Sequence, residues 1–190
     1  MKKILFNPQC IEKIPITSQM LAVAEAKDPH RPYNNKSFMK GEGIFVGILG
    51  EEIVKSWRID FSQESTYDYD LVCFCGSKKQ TIDVKTKYQS SPNVPLKDIG
   101  GWMASVCVDS IHQNTDFYIF CRVCKIDTYG NGFSYPFGWI AGMISKDEFF
   151  KKAVFRKKGE KEGYNNYTVQ QDCYNVPYSE LYQLDSRLKW

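Results

Sequence analysis

The stretch YDYDLVCFCGSKKQTIDVKTK, Tyr67 to Lys87, limits the fold more than any other part of the chain. Apolar and polar residues alternate on either side of a Gly-Ser pair, the pattern of a half-buried antiparallel hairpin. A tight turn within GSKK (Gly76 to Lys79), with an even number of loop residues, sets Asp70 opposite Lys85 and Val72 opposite Asp83. Side chains alternate along a strand, so Asp70, Val72, Asp83 and Lys85 share one face while Leu71, Cys73, Ile82 and Val84 take the other. One face is ordinary packing surface. The other gathers two carboxylates and an ammonium within about 7 to 8 Å. Solvation alone would account for an edge hairpin with one cross-strand ion pair, worth less than about 1 kcal/mol. Two neighbouring carboxylates, however, raise each other's pKa, and a divalent cation relieves that repulsion.

The flanking segments place this hairpin in a mixed α/β order. TSQMLAVAEAK (17–27) reads as a helix capped by Thr17 or Ser18, broken by DPHRPYNN (28–35). KGEGIFVGILGEEIVKSW (40–57) has apolar residues at helical spacing, with three glycines that suggest close packing. Glu51 and Glu52 follow Gly50 there, and helical spacing alone does not choose which faces the hairpin. After the hairpin, SPNVPLKDIG is a loop into an expected helix, Trp102 to His112. Strands are expected at 116–126 and 137–144 around DTYGNGFSYP, then a helix from Ser145 with Glu148 completing a capping box. RKKGEKEGYNN (156–166) reads as a solvated loop, followed by a short strand and a helical turn after Pro177.

A length of 190 residues with 43% hydrophobic and 25% charged residues suits one globular domain spanning 1–190. The two N-terminal lysines precede only a very short apolar run, which fails as a signal peptide, and no apolar run approaches the roughly 20 residues of a membrane span. The expectation is an intracellular, cytoplasmic protein without membrane attachment. Seven cysteines, mostly in apolar segments, fit buried free thiols in a reducing compartment. Cys121 and Cys124 form a CxxC, but His30 and His112 are too scattered to complete a zinc site with it. A net charge of +3 permits a nucleic-acid partner without arguing for one.

A helical glutamate, an acid at the start of one strand and DVK (Asp83 to Lys85) on the next resemble the PD-(D/E)xK nuclease superfamily. The similarity covers roughly residues 40–125 and includes GILGEEIV before the hairpin and WMASVCVDSIH after it. It leaves 1–39 as an N-terminal helical extension and 126–190 as C-terminal strands and helices. The resemblance implies a restriction-endonuclease-like α/β (α+β) core, a mixed central β-sheet flanked by helices. It further implies Asp70, Asp83 and the Val84 carbonyl as Mg²⁺ ligands, with Mn²⁺ as a substitute. Glu51 would be an outer or direct ligand, and Lys85 would orient or polarise the attacking water. The sequence departs from the pattern at Tyr69, where a proline is often found, and in the ambiguity between Glu51 and Glu52.

The chemistry stands without the family name: phosphodiester hydrolysis needs a metal to neutralise phosphate charge and activate water, and a group to steer that water. Asp68 shares the face of Asp70 and competes with it; Glu52 is the alternate to Glu51. Lys78, Lys79 and Lys87 are candidates for phosphate contact, and the basic cluster Lys151, Lys152, Arg156, Lys157, Lys158 and Lys161 for a DNA backbone. The expected function is a Mg²⁺-dependent DNA nuclease acting by direct water attack, in phage or bacterial DNA processing, with a homodimer left open. Two other readings are a catalytically silent nucleic-acid-binding or assembly module on the same scaffold, and a cysteine-based zinc protein.

Overall fold

The computed structural model describes residues 5–27, 42–57, 60–64, 66–129, 132–162 and 167–184. The DPHRPYNN loop and the start of the second expected helix lie outside these residues. In chain order the elements are β1 (Ile14–Pro15), α1 (Ser18–Lys27), α2 (Glu42–Trp57), β2 (Ser62–Gln63), β3 (Leu71–Cys75), β4 (Lys78–Gln89), α3 (Leu96–Ile99), β5 (Met103–Cys107) and β6 (Phe117–Cys124). Then follow β7 (Ile126–Asp127), β8 (Phe133–Ser134), β9 (Phe137–Ser145), α4 (Lys146–Lys152), β10 (Val154–Arg156), β11 (Lys161–Glu162), β12 (Tyr167–Thr168) and β13 (Cys173–Pro177).

The architecture is mixed α/β around a mixed six-stranded sheet in the order β1-β9-β6-β4-β3-β2. Among the described strands of this sheet only the β4 and β6 pair is parallel. Parallel neighbours need a long crossover, and the one here carries α3 and β5. A second sheet, β10-β13-β5, lies outside the first. Alternation along β6 assigns the two faces of the main sheet. Ile119 and Cys121 join Val54, Leu71, Cys73, Ile82, Val84 and Met143 in one cluster, against α2. Tyr118 and Phe120 join Trp139, Phe149, Ala104, Val106, Val176 and Tyr178 in another, against α4 and the second sheet. Each fully buried aliphatic or aromatic side chain contributes about 1.5–3 kcal/mol, so the sheet is held from both sides.

Helix starts follow their capping chemistry. Thr17 Oγ1 accepts the Met20 N–H, and Ser145 Oγ accepts the Glu148 N–H while bonding the Glu148 carboxylate. Along α2, Ile48, Leu49, Ile53 and Val54 are fully buried. The glycine at 50 brings the helix against β4, where a Cβ would lie 1.9 Å from Thr86 Oγ1.

Three expectations are corrected. The segment 102–112 is not a helix: it is strand β5 followed by a 3₁₀ turn at Val108–Ser110. Ala104 and Val106 are buried while Met103, Ser105 and Cys107 are half-buried, a period of two that serves pairing with the distant β13. The segment 156–166 is not wholly a solvated loop, since it carries β11 and the buried Glu162, held by Arg156 and Asn175. Finally, the hairpin turn is Gly76-Ser77, with Gly76 at φ +63°, a left-handed first position suited to a two-residue turn. Leu71 therefore faces Ile82, and the register is two residues tighter than expected. A shift of two keeps every side chain on its face.

Candidate active site

Asp70 stands just before β3, where that strand leaves β4. Its N–H donates to the Ile82 carbonyl (2.9 Å) although Leu71 is the ladder partner of Ile82, so two residues oppose one and the chain bends. Released from regular pairing, the Asp70 carboxylate accepts the Val84 N–H at 2.9 Å. A residue's N–H and C=O leave a strand on the same side, which turns the Val84 carbonyl toward Asp70 as well. Asp70 is therefore not opposite Lys85, as the expected register had it; it lies at the mouth of the hairpin, beside Asp83.

Two carboxylates, Asp83 and Glu51, act on a third, Asp70, here. Burial, then the charge of Asp83, then that of Glu51 push the Asp70 carboxyl well above the usual range, against the opposing Val84 N–H bond and Lys85. Asp83 is 3% exposed, and its Oδ2 lies 2.6 Å from Lys85 Nζ yet receives no hydrogen bond of regular geometry. Lys85 also donates to Gln113 Oε1 at 3.1 Å. Burial works against the Lys85 ammonium, but Asp83, then Asp70 and Cys107, together outweigh it and the Lys85 pKa is raised.

Glu51 is 2% exposed and accepts a hydrogen bond from Gln63 Nε2 at 3.1 Å. Glu52 instead lies 2.6 Å from Lys55 and 3.2 Å from Lys27. The lysines hold Glu52 away, leaving Glu51 as the helical acid that Asp70 feels. Asp68 accepts the Asn114 N–H at 3.0 Å, fastening the loop before β6. Lys78 is exposed, and Lys79 pairs with Glu64 at 2.7 Å. Lys87 bonds the Met103 carbonyl and Ser105 Oγ; burial and then Arg122 lower its pKa to about 8. It ties the two sheets together and is not a free surface cation. In the basic cluster, Lys152 pairs with Glu180 and Arg156 with Glu162.

Tyr118, which sequence reasoning missed, faces Asp83 in the parallel ladder. Its hydroxyl is buried without a hydrogen-bond partner, and burial followed by the Asp83 charge pushes its pKa up. Only long-range pairing of β4 with β6 makes it a neighbour, so no local signal marked it.

The donor set suits a hard cation: mutually repelling carboxylates, a buried carboxylate oxygen lacking a regular hydrogen bond, and a carbonyl on the same side. As placed, no group of three or more His, Cys, Asp and Glu side chains is gathered closely enough to hold a metal ion among the described residues. Lys85 supplies the compensating charge to Asp83 instead. The CxxC offers no zinc chelate, since Cys121 and Cys124 lie three apart on one strand and point to opposite faces. Of the cysteines in apolar segments, expected to be buried, Cys73, Cys121 and Cys124 are buried, whereas Cys107 is half-buried and Cys75 exposed. No helix among the described residues is long and apolar enough to cross a membrane.

No family model, curated protein or solved structure matches this chain.

The separation of the two glutamates gives a direct test. If a divalent cation binds beside Asp70 and Asp83, Glu51→Gln is expected to reduce its affinity at least tenfold by isothermal titration calorimetry, while Glu52→Gln leaves it within about twofold.

Proposed function

We propose that the chain is a metal-dependent DNA nuclease on a restriction-endonuclease-like scaffold, hydrolysing phosphodiester bonds by direct water attack. One observation carries the reading. Asp70 is driven well up by burial and by the charges of Asp83 and Glu51, and a raised Lys85 sits on the same carboxylates. A group perturbed by desolvation together with specific charged partners is a candidate for a functional site.

Asp70, Asp83 and the Val84 carbonyl would hold Mg²⁺ or Mn²⁺, with Glu51 behind them. A divalent cation there would neutralise phosphate charge and acidify a bound water. Lys85 keeps its proton through neutral pH because its pKa is raised, so it serves as a fixed positive charge that orients the attacking water and not as a base. Tyr118, beside Asp83, helps keep bulk water from that carboxylate. Cleavage of supercoiled, linear, branched and single-stranded DNA with Mg²⁺ or Mn²⁺ tests the proposal, and no cutting of any of them sinks it.

The Lys85 contact with Asp83 also favours a second reading, since it balances the charge without a metal. A catalytically silent DNA-binding module would show salt-sensitive binding that survives Asp70→Ala and ignores metal.

The pH dependence follows from the sign of the Asp70 shift. Below its raised pKa the carboxyl is protonated, and a cation must displace that proton. Metal affinity is expected to fall as pH drops through the raised value, with proton release on binding. Titration calorimetry in buffers of different ionisation enthalpy reads both, and a flat pH profile contradicts the assignment.

A further inference from the structure

The second sheet holds a pair of thiols in a position that chance pairing rarely supplies. In the β5 and β13 ladder Cys107 faces Cys173 directly. Just beyond it the Val108 N–H donates to the Asp172 carbonyl (3.1 Å), and at the far end the Tyr178 N–H donates to the Trp102 carbonyl (2.7 Å). Each of these bonds joins residues that the same register sets directly opposite. Hydrogen-bonded and non-hydrogen-bonded pairs alternate along an antiparallel ladder, so 102, 104, 106 and 108 occupy the bonded positions and Met103, Ser105 and Cys107 the others. At a non-hydrogen-bonded pair the Cα atoms approach to about 4.5 Å with both side chains on one face. Disulfides span Cα separations of about 4.4–6.8 Å. Both thiols are free.

We propose that Cys107 and Cys173 form a reversible thiol–disulfide site that a small-molecule disulfide, such as oxidised glutathione, closes. Cys107 is the half-buried member and Cys173 the buried one, which fixes the order of events. The Cys107 thiolate attacks one sulfur of the small disulfide, forming a protein mixed disulfide and expelling a thiolate. The Cys173 thiolate then attacks Cys107 Sγ, closing the cross-strand bond and expelling the second thiolate. The two cysteines lose two electrons and two protons; the small disulfide gains them as two thiols.

The surroundings are consistent with a poised and not a constitutive bond. Burial raises the Cys107 pKa, against which the Lys85 ammonium works most strongly. Cys173 donates its thiol proton to Asn175 Oδ1 at 3.3 Å, which keeps the resolving thiol in place. Among the described strands no other cysteine stands directly opposite a second cysteine. Cys73 and Cys75 face Gln80 and Lys78, and Cys121 and Cys124 point to opposite faces of β6. Lys87 bonds Met103 and Ser105 on this same strand, so closure would brace the strand against which the lysine leans. None of this depends on the nuclease reading.

The test uses the whole chain, folded, incubated with oxidised glutathione and then mapped as unreduced peptides by mass spectrometry. The expected product is lighter by two hydrogens, carries a link between the peptides of Cys107 and Cys173, and reverts fully with dithiothreitol. Cys173→Ser should trap glutathione on Cys107. A wild-type map in which Cys107 stays unmodified, keeps glutathione without closing, or links to any other cysteine overturns the proposal, with no variant needed.

Discussion

Asp83→Asn and Lys85→Met are each expected to lower DNA cleavage by about 10³-fold or more, because each removes charge from the point where the transition state gathers it. Their effects on stability should differ from their effects on activity. Lys85→Met leaves Asp83, 3% exposed, with its principal positive neighbour gone, and breaking a buried pair from one side costs about 3–5 kcal/mol. Asp83→Asn combined with Lys85→Met should recover most of that loss in thermal unfolding while restoring no cleavage. Loss of stability in the single variants with cleavage retained would show that the pair is structural and not catalytic.

Asp70→Asn sharpens the same point. The amide keeps an acceptor for the Val84 N–H but removes the charge that Asp83 and Glu51 oppose. Cleavage should vanish while Tm rises by a few degrees, the sign of a site held at the expense of stability. The gain has a predictable pH dependence. A carboxyl with a raised folded-state pKa stabilises fully below its unfolded value and loses that contribution as pH climbs to its folded value. The advantage of the amide should therefore grow with pH from the ordinary carboxylate range and level off above the raised one.

Gly50→Ala is expected to cost stability on a similar scale. An added Cβ would lie 1.9 Å from Thr86 Oγ1, 2.9 Å from Thr86 Cβ and 3.0 Å from Thr86 Cγ2, so rotating the threonine cannot clear it. Helix α2 would have to move off β4, at a cost of about 3 kcal/mol or more. Glu51 would move with it, being the next residue. Denaturant unfolding should show the loss, and Thr86→Gly in the same chain should return most of it, a coupling that a double-mutant cycle measures. Thr86→Ala should return less, because its Cβ stays in the way.

Much of this site was legible because its determinants are local. Alternation divides Leu71, Cys73, Ile82 and Val84 from the charged face, and that division survives a register error of two. The error arose from the turn: Gly76 at φ +63° closes the hairpin one position earlier than a turn centred on GSKK. What stayed hidden depends on distant chain. Trp102 to His112 has apolar residues that serve either period, and only pairing with Cys173–Pro177 makes five of its residues a strand. Glu52 is held by Lys27, a residue of another helix, as well as by Lys55, and Tyr118 reaches Asp83 only through the parallel ladder.

The central strand of the second sheet is also the last in sequence among the described strands. Both β5 and β10 pair with β13 and not with each other. A ribosome that has emitted residues 1–160 has delivered the hairpin, the candidate carboxylates and Lys85, but no partner for either outer strand. Until Cys173–Pro177 emerges, β5 waits as an open edge, the kind of surface on which unfinished chains adhere to one another. Lys87 leans on that same strand, so its anchoring to Met103 and Ser105 is settled only once Cys173–Pro177 has emerged and paired.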